Sequence, residues 1–131
     1  MRISLMLLPV LAATVVDVAQ AGPAPYYVDN NAWMCGSPGN LIPGPVADRN
    51  RNKDCMPPVF PKPTNAVVMG IFGQFAFVCL PVAPSEGFPR MPLCDYALMT
   101  SIIDKNGKHP AMATLKAYAA KQTMRDVMAI N

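Results

Sequence analysis

Apolar residues are concentrated in two long runs, and the stretch between them is broken up by proline. The first run, Ile3–Val16, carries no charge, follows Arg2, and is succeeded by Ala19-Gln20-Ala21 before Gly22. A short positive start, an apolar stretch and small residues at a cleavage site make the pattern of an export signal, so residues 1–21 read as a signal peptide. The second run, Ala66–Ala83 (AVVMGIFGQFAFVCLPVA), passes eighteen residues without a charge. β-Branched and aromatic residues dominate it, and Gly70 and Gly73 lie inside, as in a buried strand with a bulge. The same run is just long enough for a membrane span. Gln74, Pro81 and a cysteine that would sit inside the bilayer favour the strand.

Weaker patterns flank these runs. Tyr26–Met34 holds Tyr26, Tyr27, Val28 and Trp33 and predicts one short strand. Gly36–Pro63 carries seven prolines and three glycines around the polar stretch Asp48–Asp54. It reads as a long loop closed near Cys35 and Cys55. Asn106-Gly107 between apolar flanks predicts a hairpin, with strands near Tyr96–Asp104 and Lys108–Leu115. A helix capped at Gly107 and a second starting at Pro110 is the alternative. Ala113–Ile130, free of Gly and Pro, predicts a C-terminal helix with Ala113, Ala117, Ala120, Met124, Val127 and Met128 on its sheet-facing side.

Cleavage after Ala21 would leave 110 of the 131 residues, one domain's worth, and would remove Arg2 and Asp17 together, so the net charge stays at +3. The basic residues are scattered, and Asp48 and Asp54 bracket the one cluster, Arg49–Lys53. Nucleic acid is therefore not an expected partner, since such a surface needs a denser basic stripe with aromatics for stacking. Thirteen of the fifteen prolines lie between Pro23 and Pro92. Each fixes φ and removes a backbone donor, so little helix or central strand is expected there. Low charge and the interleaved aromatics argue equally against disorder. These features predict an α+β fold: a small disulfide-braced domain with a long Pro-rich extended N-terminal half, a few antiparallel strands and a C-terminal helix. The division is signal 1–21, Pro-rich extended arm 22–64 and small α+β domain 65–131.

Candidate chemistry is sparse. Cys35, Cys55, Cys79 and Cys94 are separated by nineteen, twenty-three and fourteen residues, without the short spacing of a zinc site or a CxxC redox pair. In an exported chain they predict two disulfides, and proximity favours Cys35–Cys55 with Cys79–Cys94. His109 is the one histidine; a catalytic reading would pair it with Asp104 or Asp95, but no nucleophile motif surrounds it. Asp48, Asn50, Asn52 and Asp54 alternate as in a calcium loop, yet Lys53 and Val59 stand where the loop needs its glycine and bidentate glutamate. The ten methionines are scattered and suit core filling better than soft-metal binding.

No catalytic set, cofactor or metal site is expected. The sequence predicts a non-catalytic exported structural or interaction protein of the periplasm, cell envelope or extracellular space. It would be a small subunit of an assembly such as a secretion machine, pilus or particle, with other protein subunits as partners. Tyr26, Tyr27, Trp33 and Phe60, aromatic residues on a proline-stiffened arm, are the expected interface anchors. The alternatives are a secreted monomeric effector or inhibitor, and a membrane-embedded component using residues 66–83.

Overall fold

The computed structural model describes residues 24–58, 60–82 and 91–129. The signal peptide reading, the last residue of Ala66–Ala83 and the end of Ala113–Ile130 lie outside the described residues. In chain order the elements are β1 (Tyr26–Val28), β2 (Met34–Cys35), a 3-10 turn at Pro38–Leu41, α1 (Pro45–Asp54), β3 (Cys55–Met56), β4 (Thr64–Phe72), β5 (Phe75–Val82), β6 (Met91–Leu98), a 3-10 turn at Met99–Ser101, β7 (Ile102–Asp104), α2 (Met112–Ala119) and α3 (Met124–Met128). The strands form one antiparallel sheet in the order β3-β2-β6-β5-β4-β1-β7. The chain is thus a small mixed α+β domain holding two disulfides, Cys35–Cys55 and Cys79–Cys94, the pairing that proximity favours.

The uncharged run is two strands rather than one. β4 and β5 turn at Gly73, whose φ of 64° is a left-handed conformation that favours glycine. The register shifts between Val68 and Gly70, which supplies the bulge signalled by the internal glycine. No helix among the described residues is long and apolar enough to cross a membrane.

The Gly36–Pro63 segment is not a continuous loop. Pro45 at the first helical position, Asp48 in the first turn and Arg51 and Lys53 in the last start and complement α1. The supposed polar loop tip is therefore helical. Residues 26–28, 34–35 and 55–56 each add a strand to the sheet. The Asn106-Gly107 hairpin also fails. Gly107 has the expected positive φ, 79°, but Pro110 follows, and α2 begins two residues later instead of a strand. β7 pairs with β1, not with what comes after the turn.

Side chains alternate across a strand, so the register divides the core between the two sheet faces. Ala66, Val68, Ala76, Val78, Leu80 and Ala97 form the larger cluster with Val28, Met34, Ile102 and, from α2, Leu115 and Ala119. On the opposite face Val67 and Cys79 pack against Val127 of α3. Two helices therefore replace the single one expected, because no straight helix covers both faces. The buried positions differ accordingly: Leu115, Ala119 and Val127 are inside, while Ala113, Ala117, Ala120, Met124 and Met128 are exposed.

Candidate interaction surface

The four aromatic residues singled out in the sequence stand apart. Tyr26 meets Tyr118 of α2 edge-on, with ring centroids 4.9 Å apart. Burial, then the charge of Asp126 and the Tyr26 hydroxyl, push the Tyr118 phenol up to about 12. Phe60 is half-buried against the larger core cluster. Trp33 lies under the Arg51 guanidinium, 5.0 Å from its ring centroid. Arg51 Nε also donates to the Asn40 carbonyl at 2.8 Å, and Asn40 Nδ2 donates to Asp54 at 2.7 Å. This chain of contacts fastens α1 to the 3-10 turn. Only Tyr26 and Tyr27 share a site: with Pro25, Pro110, Ala111 and Thr114 they line an open groove of about 550 Å³ at the β1–β7 edge.

That edge shows what His109 does in the fold. Its Nδ1 lies 3.1 Å from the Ile102 carbonyl, and the Asp104 amide donates to the Lys108 carbonyl at 2.9 Å. The returning chain thus covers outward-facing backbone groups of β7, which an open edge would offer to another strand. The Asp104 carboxylate, a suggested partner of His109, accepts instead from the amides of Asn106 and Lys108, at 2.8 and 3.0 Å. Those bonds, with the lysines nearby, hold it below the usual carboxylate range. Asp95 lies far along the sheet on β6, where burial and then the charge of Asp54 raise its pKa. Asp48, Asn50, Asn52 and Asp54 are spread around α1, and no group of three or more potential ligands among the described residues could hold a metal ion.

A different aromatic surface emerges on the α3 side of the sheet. Phe75 and Phe77 on β5, Phe72 on β4 and Tyr96 on β6 share this face through the register Phe72↔Phe75 and Phe77↔Tyr96. Tyr96 packs against Phe77 at 5.0 Å and against Phe72 at 6.2 Å between centroids. Phe72 is 56% exposed, the most exposed of the large apolar side chains described. A β-carbon on Gly70 would lie 2.8 Å from the Phe72 ring, so the glycine leaves room for that ring to fold back over β4. α3 covers only the Val67–Cys79 end of the face. No protein-family model, curated protein or solved structure matches this chain. Sequence reasoning missed the aromatic surface because Phe72, Phe75 and Phe77 lie in the run read as one buried strand. The Gly73 turn, recognised as such, would have placed all three on one face of a hairpin.

Proposed function

We propose that this chain is a non-catalytic, exported subunit of an envelope or extracellular assembly, and that the Phe72–Phe77–Tyr96 face is where another subunit docks. The observation that carries the reading is Phe72, an aromatic ring more than half exposed and backed by Phe77 and Tyr96 on one face of the sheet. Rigid aromatic groups in a row lose little conformational entropy on binding and are the usual anchors of protein interfaces. Two disulfides suit an oxidising, non-cytoplasmic setting, and the signal read at residues 1–21 supplies the route. The use of His109 and Asp104 in closing the β7 edge supports the absence of catalysis.

The test is affinity purification of the tagged protein from its native host, beside the Phe72→Asp variant. A defined set of co-purifying proteins should accompany the parent, whose N-terminus should read from Gly22. Phe72→Asp should lose that set while keeping both disulfides. Recovery of the same partners with Phe72→Asp, or elution of the native protein as a free monomer, overturns the proposal; the latter would favour the secreted effector.

A further inference from the structure

We infer that the α3 corner of the molecule is a docking surface for an anionic lipid bilayer. The corner is built from a short helix that spends one residue, Val127, on the core. Met124 and Met128, one helical turn apart, are 47% and 44% exposed. They are two of the six large apolar side chains that the described residues leave exposed. Lys121, Met124 and Arg125 line one shallow depression of about 670 Å³ with Thr123 and Asp126. Two unbranched apolar side chains beside two cations form the composition of a surface that lies in a headgroup layer.

Charge decides the class of partner. Among the described residues the carboxylate at the corner is Asp126, which lines the same depression, accepts from the Thr123 amide at 2.7 Å and from the Thr123 hydroxyl at 3.2 Å, and keeps its charge. Lys121 and Arg125 are both exposed and outnumber that single carboxylate, so the described corner presents apolar groups beside a net positive charge. A second copy of the same chain would bring like charges together. A bilayer containing anionic headgroups satisfies both features at once, the cations at the phosphates and the methionines at the acyl boundary. Attachment of this size is weak and reversible, and stable anchoring takes a second signal.

Vesicle sedimentation tests the inference on the oxidised protein beginning at Gly22. Vesicles mixing phosphatidylglycerol with phosphatidylcholine should bind it, phosphatidylcholine vesicles should not, and added salt should release it. Lys121→Gln with Arg125→Gln should weaken partition about 30-fold, the loss expected for two cations at a charged surface. Met124→Ser with Met128→Ser should weaken it as well. All these side chains are exposed, so the variants should keep both disulfides and the parent melting curve. Failure to bind mixed vesicles, equal binding to both kinds, or indifference to the Lys121/Arg125 pair overturns the inference. Phe72→Asp should leave vesicle binding intact, so failure here is distinguishable from failure of the assembly reading.

Discussion

Asp95 is a carboxyl whose environment opposes its charge. It faces the larger core cluster from β6, opposite Val78, and burial followed by the Asp54 charge raises its pKa above 3.8. A carboxyl with a raised folded pKa favours the native state in its protonated form. Its contribution is complete below the unfolded value of 3.8 and is lost as pH rises through the folded value. Asp95→Asn should therefore stabilise the protein at neutral pH, with the gain disappearing under acid conditions below 3.8. Denaturant titrations at several pH values check this, and a gain that persisted in acid would assign the effect to packing. Little of this was legible beforehand. Asp95 carried no motif, and the charge that perturbs it comes from α1, a helix hidden inside what reads as a proline-rich loop. His109 was legible as a loop residue, but its acceptor, the Ile102 carbonyl, depends on where the chain returns.

At the scale of elements, the boundaries that sequence patterns missed were those set by tertiary demands. The residues Ala113–Ala129 have helical propensity throughout, yet α2 and α3 must cover opposite faces of one sheet. The break carried a visible signal. Thr123 and Asp126 form a capping box, with the Thr123 amide donating to the carboxylate, and such a box marks a new helix start. Only the position of the sheet tells which side each helix turns inward. Leu115→Ala, at a fully buried site, should cost about 2–5 kcal/mol. Ala117→Glu, on the side the periodicity assigned to the core but exposed in the fold, should change stability by no more than about 0.5 kcal/mol. Chemical denaturation of the pair tests the two-helix arrangement, and a severe loss at Ala117 would restore the single helix. The uncharged run divides for a comparable reason: Gly73 is a turn residue only once the chain reverses, and its aromatic neighbours then line up on one face.

Across the whole molecule the two disulfides restrain different things. Spacing favoured their pairing among three possible ones without fixing it, because each closes a loop shorter than any alternative would. Cys79–Cys94 joins β5 to β6, strands that pair over the full length of both, and Cys79 is buried beside Val67 and Val127. Cys35–Cys55 joins β2 to β3, two-residue strands linked to the rest of the sheet through Cys35↔Tyr96. In the chain-entropy account, loops of these sizes should each contribute about 3 kcal/mol. The consequences of losing them should nevertheless differ in place. Replacing Cys79 and Cys94 with Ser puts hydroxyls into an apolar cluster at the sheet centre, so the whole domain should lose stability. Replacing Cys35 and Cys55 should release residues 36–56 as a local unit, since few sheet bonds hold them otherwise. Amide hydrogen exchange reads the difference: protection should fall throughout the sheet in the first variant, and in residues 36–56 alone in the second. Uniform loss in both would mean that α1 and its turn, tied through Asn40, Arg51 and Asp54, fold as one cooperative unit with the sheet.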